Sequence, residues 1–322
     1  MLTPFTDYGL RENISHMNKI ATILTVHNRK EKTLSCLSHL FVALNIYNNQ
    51  QTEDIDLAVF LTDDGCTDGT ADAVREAFPD KGIHILQGDG NLFWAGGMRL
   101  AWQTAIDTGT AWDYYLLLND DTNVYDNVLE ELFEADEYGY EETGKHGLSS
   151  GITCQPGNPD ETTYGGFIFA GKAKGRHLLA HPIGKPQMVD MTHANILLIH
   201  QEVVGEQGIF YHGFRHGAAD EDYSMQARRN HFPAAVTAHV CGECKCDHDS
   251  NKEEILRLMT MTLAERREYV NSPTHSDHDY LLFVRRNIPL RYPIAFILRH
   301  LRLYLPKLYY YITNFRGVYQ SK

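Results

Sequence analysis

Between Lys19 and Leu118 short apolar runs alternate with stretches of helical periodicity, and this alternation restricts the fold more than any other feature. Ile20 to Val26, Ile55 to Leu61, Ile83 to Leu86 and Tyr114 to Leu118 have the length and the aliphatic content of buried strands. Between them, Lys30 to Leu44 places Leu34, Leu37, Phe41 and Leu44 on one helical face. A second helix runs to Phe78, with Thr67 or Asp68 placed to cap it, and a third spans Trp94 to Thr108. Strands that alternate with helices predict an α/β chain whose mostly parallel sheet is joined by right-handed crossovers. A sheet of this kind collects its ligand site at the carboxyl ends of its strands.

Those ends are polar. The first strand leads into Thr25-Val26-His27-Asn28-Arg29, the second into Asp63-Asp64-Gly65, the third into Gly88-Asp89-Gly90-Asn91 and the fourth into Asn119-Asp120-Asp121. Two adjacent carboxylates at a strand end suit a divalent cation that bridges to phosphate oxygens. An Asp after the second strand can accept hydrogen bonds from a base or ribose, and the Asn91 amide can bind either. Gly96 and Gly97 permit close backbone approach. No G-x-G-x-x-G follows the first strand, which counts against a nicotinamide or flavin site, and no G-x-x-x-x-G-K-[ST] is present.

After about Ala135 the pattern changes. Short strands are expected at Leu148 to Thr153 and Thr162 to Phe169, then a loop rich in Gly, Lys and His from Gly171 to Pro186. A strand at Asn195 to His200 follows, with a short helix from Glu202, a His- and Gly-rich loop at Tyr211 to Ala219, and a helix from about Asp222 to Asn230. The expected organisation is an N-terminal extension over 1–18, a nucleotide-sugar-binding half over 19–135, an acceptor-binding and catalytic half of the same domain over 136–250, and a C-terminal helical extension over 251–322.

Charge separates the last of these from the rest. The chain carries a net −13, yet residues 280–322 hold eight Lys or Arg and no acid, which leaves 21 basic against 42 acidic residues before them. This tail also contains ten aromatics and is interrupted by Pro289, Pro293 and Pro306. A basic, aromatic, acid-free segment is suited to lie on an anionic membrane surface without crossing it. Nucleic acid is not an expected partner, because the acidic body repels a phosphate backbone. Six scattered cysteines form no disulfide framework, and Met1 to Asn18 has no leader pattern. A cytoplasmic protein, peripheral at the inner face of the plasma membrane, is expected.

The ordered series ILTVHNRKEKTLSCLSHL, VFLTDDGCTDGTADAV, GDGNLFWAGGMRLAW and YYLLLNDDT resembles glycosyltransferase family 2, the inverting nucleotide-sugar enzymes of the GT-A fold, over roughly residues 19–245. Its polysaccharide-assembling and rhamnosyltransferase-like bacterial members are the most similar. The resemblance implies a Rossmann-like, mostly parallel sheet with helices on both faces. It also implies transfer of a hexose or deoxyhexose from a UDP- or dTDP-linked donor to a glycan or polyprenyl-diphosphate-linked acceptor, as in capsule or O-antigen synthesis.

Carried over residue by residue, the resemblance assigns nucleotide binding to Thr25, His27, Asn28, Asp63, Gly88, Asn91 and Asp120. The family's D-x-D-like motif falls on Asn119-Asp120-Asp121, which makes Asp121 the metal ligand for Mg2+ or Mn2+. Ala219-Asp220-Glu221-Asp222-Tyr223, with Arg228 beyond it, resembles the family's acidic motif. Asp220 is then the base for the acceptor hydroxyl, oriented by Asp222 and Arg228. The family's usual Glu is Ala219 here, which leaves Glu221 as the other carboxylate in contention. Acceptor contacts are expected from Trp94, Gly166, His193, Asn195 and His216. His248, or less favourably His239, is a third metal ligand. Cys241, Cys244, Cys246 and His248 form C-x-x-C-x-C-x-H, four potential zinc ligands whose spacing matches no standard structural site.

Two rival readings follow from the same residues. A sugar-1-phosphate nucleotidyltransferase also uses a nucleotide sheet and metal carboxylates, but it opens with a glycine-rich loop that HNRKEKT lacks. A non-catalytic nucleotide- or glycan-binding module would keep the pocket and lose the turnover.

Overall fold

The computed structural model describes residues 17–51, 54–170, 177–246 and 251–315. The first half reads β1 (Asn18–Val26), α1 (Lys30–Gln50), β2 (Ile55–Asp63), α2 (Thr70–Ala77), β3 (Ile83–Gln87), α3 (Phe93–Asp107), β4 (Tyr114–Leu118), β5 (Asn123–Val124) and α4 (Val128–Thr143). The second half begins with β6 (Leu148–Gln155), β7 (Asn158–Tyr164), β8 (Gly166–Phe169), β9 (His177–Leu179), β10 (Gln187–Met188), β11 (Met191–Thr192) and β12 (Ile196–His200). It continues with α5 (Gln201–Gln207), α6 (Ala219–Arg229) and β13 (Ala234–Glu243). The chain then turns helical, with α7 (Asn251–Thr260), α8 (Leu263–Asn271), α9 (Asp277–Asn287), α10 (Tyr292–Tyr304) and α11 (Pro306–Phe315).

The central sheet runs β10-β13-β6-β12-β4-β1-β2-β3. Strands β3, β2, β1 and β4 are parallel, as the alternation predicts. Strand β12 is antiparallel to both β4 and β6, and β6 lies parallel to β13. A separate three-stranded sheet, β11-β8-β9, stands beside it.

Alternate residues of the central strands enter opposite cores, as the two-residue period of a strand requires. Ala21, Ile23, Tyr115 and Leu117 pack towards α3, α6 and α9, with the fully buried Trp102 among them. Ile20, Leu24, Tyr114, Leu116 and Leu118 face α1, α2 and α4. Close approach of α3 to the sheet depends on Gly97, where a Cβ would stand 2.0 Å from Thr25 Oγ1.

The prolines of the tail act as helix starters. Pro293 lies in the first turn of α10 and Pro306 opens α11, positions where a missing N–H costs no helical hydrogen bond. Among the described residues no helix is long and apolar enough to cross a membrane.

The C-terminal helices are fastened to α6. Asp222, buried in α6, accepts hydrogen bonds from Arg286 Nε (2.9 Å) and Asn287 Nδ2 (2.6 Å) of α9. The Asn287 side-chain oxygen in turn accepts from Gln226 (3.1 Å). Asp279, also on α9, accepts from the backbone N–H groups of Arg215, His216 and Gly217, the loop that delivers the chain into α6. Removing the last helices would therefore release the start of α6.

Candidate active site

The four strand-end loops hold one another in place. Asp64, buried at the end of β2, accepts from the N–H groups of Gly90 (2.8 Å) and Phe93 (2.9 Å), so its carboxylate ties the second loop to the third. Gly88 must be glycine here, because a Cβ would meet Asp64 Oδ1 at 2.5 Å. His27 Nδ1 lies 2.6 Å from the Asp64 carbonyl oxygen, which fixes the ring as the Nδ1–H tautomer and leaves Nε2 as an acceptor for Asn28 Nδ2 (3.2 Å). Asn28 Oδ1 accepts from the Thr67 N–H at 2.7 Å. Asp63 accepts from the Cys66 N–H (2.7 Å) and so shapes the turn in which it sits.

Three of the four described non-glycine residues with left-handed backbone lie in these loops or at the acidic helix: Asn28 (φ 51°), Phe93 (φ 53°) and Ala218 (φ 61°). Such strain gathers where surrounding structure holds a site in a fixed shape.

Asn119, Asp120 and Asp121 differ in environment. Asn119 is a strut. Its N–H donates to the Asn195 carbonyl (3.1 Å) and its Oδ1 accepts from the Trp94 indole N–H (2.8 Å). Asp120 is almost fully buried, and burial pushes its carboxyl up to about 6 even though Arg29 lies against it. Arg29 Nη1 reaches both Asp120 Oδ1 (3.1 Å) and Asp121 Oδ2 (2.9 Å), and Lys32 Nζ stands 3.6 Å from the same Asp121 oxygen.

These residues fit a divalent cation. Asp120 Oδ2 is buried with no hydrogen-bond partner, and carboxylate oxygens are the hard ligands Mg2+ and Mn2+ prefer. Among the described residues no group of three or more His, Cys, Asp and Glu side chains forms a metal cluster, so Asp120 and Asp121 would be the residues to hold a cation, with its other ligands coming from outside the protein side chains. His248 lies outside the described residues. His239 is drawn away from the carboxylates, since Glu131 of α4 binds its N–H (3.0 Å) and its Nδ1 (2.6 Å). The nearest sulfur is Cys244, whose Sγ lies 3.9 Å from Asp121 Oδ1 and accepts from Asn195 Nδ2 at 3.3 Å. Cys241 points instead to Thr237 in the core, and Cys246 is exposed.

The second acidic group sits at the start of α6. Asp220 Oδ2 accepts from the Ala194 N–H at 2.9 Å. Glu221, one residue on, is pushed up to about 8, first by burial and then by the charge of Asp220. Asp222 is bound to α9 as described. Arg228 pairs with Asp190 at 2.5 Å and so braces the loop before β11.

The remaining residues singled out by sequence are placed as follows. Trp94 packs against Phe210 as well as bonding Asn119. His193 Nδ1 accepts from the Gly165 N–H (3.2 Å), with Tyr164 and Phe167 edge-on to its ring. Gly166 leaves room for the Met191 carbonyl, 2.9 Å from where a Cβ would sit. His216 lies in the loop held by Asp279, and Asn91 is in an exposed turn with its N–H on Asp89. Thr25 packs under Gly97.

Arg29, Asp64 and Asp279 escaped assignment from sequence. Arg29 stood in the first loop beside His27 and Asn28, and only its reach across to β4 reveals its partners. Asp279 carried no local signal, because its partners are backbone groups some sixty residues away.

Residues 22–143 match the family model for glycosyl transferase family 2. No curated protein sequence matches the chain. Among solved structures it is similar to a mannosyltransferase from Pyrobaculum calidifontis in complex with GDP-Man and Mn2+, at 15% identity and TM-score 0.50, covering 96% of this chain and 82% of that one. It is also similar to residues 1–349 of S. aureus TarS in complex with UDP-GlcNAc, at 12% identity and TM-score 0.49, covering 84% of this chain and 73% of that one. At 15% identity the likeness to the mannosyltransferase is one of fold, and that fold is GT-A.

Proposed function

We propose that this chain, a glycosyltransferase with a family 2 domain over residues 22–143, inverts the anomeric centre as it transfers a sugar from a nucleoside-diphosphate donor to a hydroxyl of a glycan or lipid-linked acceptor. One observation carries the reading. The short segment Ala194-Asn195 binds both acidic motifs, its N–H at Ala194 to Asp220 and its carbonyl at Asn195 to the N–H of Asn119. A carboxylate fit to take a proton and a carboxylate pair fit to hold a phosphate-bound cation are thereby joined through two consecutive residues.

In this reading the base or ribose of the donor lies along His27, Asn28, Asp63 and Asn91, and its diphosphate reaches Asp120 and Asp121. Mg2+ or Mn2+ at Asp121 would offset the charge that develops on the departing diphosphate. Arg29 and Lys32 lie within reach of the same phosphates and add positive charge there. Asp220 Oδ2 is fixed by the Ala194 N–H, so Oδ1 is the oxygen that takes the acceptor proton as the hydroxyl attacks in line. Carbohydrate acceptors would meet Trp94, Gly166, His193, Asn195 and His216. The acid-free tail, with Arg285, Arg291 and Lys307, keeps the enzyme against an anionic lipid surface, where cell-surface glycan precursors are assembled.

Replacing Asp220 with Asn keeps the hydrogen bond to Ala194 and removes the base. The expected outcome is a fall in transfer rate of about a hundredfold or more with nucleotide binding retained. Transfer at the wild-type rate by Asp220→Asn would remove Asp220 from the mechanism.

A further inference from the structure

A cavity of about 450 Å3 opens between the third strand-end loop, the loop that leads into α6 and the first turn of α9. Asn91 and Phe93 form one side, and Arg99 of α3, His212 and Arg215 of the loop and His278 of α9 form the other. No Asp or Glu lines it, although acidic residues outnumber Lys and Arg by 42 to 29 in the chain. Arg99 is its fixed part. Nη1 donates to the carbonyls of Phe214 (2.8 Å) and Tyr211 (3.3 Å), while Nε and Nη2 make no hydrogen bond among the described residues. Burial lowers the pKa of this guanidinium, and the charge of Asp279 offsets that only in part. Asp279 is already engaged, by the N–H groups of Arg215, His216 and Gly217 and by His278 Nδ1 at 3.1 Å. Asp89, beside the third loop, holds the Asn91 N–H at 2.9 Å. Neither Arg99 nor Arg215 is in an ion pair among the described residues.

We infer that this cavity binds a sugar-sized ligand bearing a phosphate or a carboxylate. Two guanidinium groups without carboxylate partners supply the planar donors that such oxygens accept from, and a protein of net negative charge has few other places where an anion is favoured. The volume lies within the range of sites for small organic molecules. It is many times the roughly 30 Å3 share of one water, so a bare ion would leave most of it to solvent. The Asn91 amide and the imidazole of His212 can bond hydroxyl groups, and the Phe93 ring offers an apolar face to a sugar ring. Asp120, Asp121 and Asp220 do not line the cavity, so a ligand here is held independently of any metal and of the base. Its walls come from three segments distant in sequence, and a bound anion would tie them together.

The full-length chain is titrated by calorimetry with glucose-6-phosphate, glucuronate and glucose, in the presence of a chelator, beside Arg99→Gln, Arg215→Glu and Arg29→Gln. Arg215 is exposed, so its replacement leaves the core untouched even if losing the Arg99 bonds disturbs the loop. Arg29→Gln reports on anions drawn instead to the loop beside Asp120 and Asp121. Saturable binding of at least one of the two anions is expected, weakened at least tenfold in Arg99→Gln and Arg215→Glu and unchanged in Arg29→Gln. Glucose is expected to bind at least tenfold more weakly than that anion, and the tighter of the two anions identifies the group as phosphate or carboxylate. Failure of both anions to bind overturns the assignment, as does glucose that binds equally well. Undiminished binding by Arg215→Glu, or a loss confined to Arg29→Gln, also overturns it.

Discussion

Arg29 occupies the position of greatest electrostatic leverage at the residue scale. It contacts two carboxylates at once, so a divalent cation entering at Asp121 competes with a guanidinium already in place. Replacing Arg29 with Gln is expected to tighten Mn2+ binding to the nucleotide-free chain about tenfold, measured by calorimetry. Unchanged affinity would mean that Arg29 does not oppose the ion. Asp120 gives a pH prediction. Burial raises its carboxyl from the ordinary 3.8 to about 6, so the folded chain binds more protons than the unfolded chain between those values. Stability from this group is fully present below about pH 4 and is lost as the pH rises through about 6. Asp120→Asn should therefore raise Tm at pH 7 and leave it nearly unchanged at pH 4, and a gain of equal size at both would refute the assignment. The same residues show what the sequence could reveal about the site. The polar loops and Asn119-Asp120-Asp121 were legible from the strand ends, and the acidic cluster at Asp220 from its resemblance to the family's motif. The bonds that link them were not, because Arg29 to Asp121, Asp64 to Phe93 and Asp220 to Ala194 are contacts across loops that no local pattern encodes.

Among the elements, α6 does the most to set the site, and its position depends on a buried anion. Asp222→Ala would leave Arg286 and Asn287 without their carboxylate, at a cost of about 3 kcal/mol in urea unfolding. A loss under about 1 kcal/mol would show that α9 holds α6 by apolar packing alone. The boundaries of β1 to β4 and of α3 follow their apolar periodicity closely, since strands buried on both faces carry a strong signal. Several elements departed from expectation. Helix α6 begins at Ala219 and not at Asp222, because Asp220 and Glu221 are favourable in a first helical turn. The run Thr162 to Phe169 is broken at Gly165 (φ 148°), so that β7 joins the main sheet and β8 the smaller one. Strand β13 has an Ala-, His- and Cys-containing sequence with little strand propensity. It forms through its pairing with β6, β5 and β10.

At the scale of the whole molecule, the polar sheet edge built by β1 to β4 meets an acidic helix that is held by the C-terminal helices. The basic, aromatic tail read from composition does more than present charge. Through Asp222 and Asp279, helix α9, which leads into the tail, is bonded to the start of α6, so the tail and the acidic helix are joined. We propose that Asn119-Asp120-Asp121 and its companion loops hold a metal-bound nucleoside diphosphate, and thermal denaturation with UDP, dTDP or GDP, each with and without Mn2+, for the wild type and Asp121→Asn, tests it. At least one nucleotide is expected to raise Tm in the wild type only when Mn2+ is present, and that increment is expected to vanish in Asp121→Asn. No metal-dependent rise with any of the three, or an equal rise in both proteins, would contradict it.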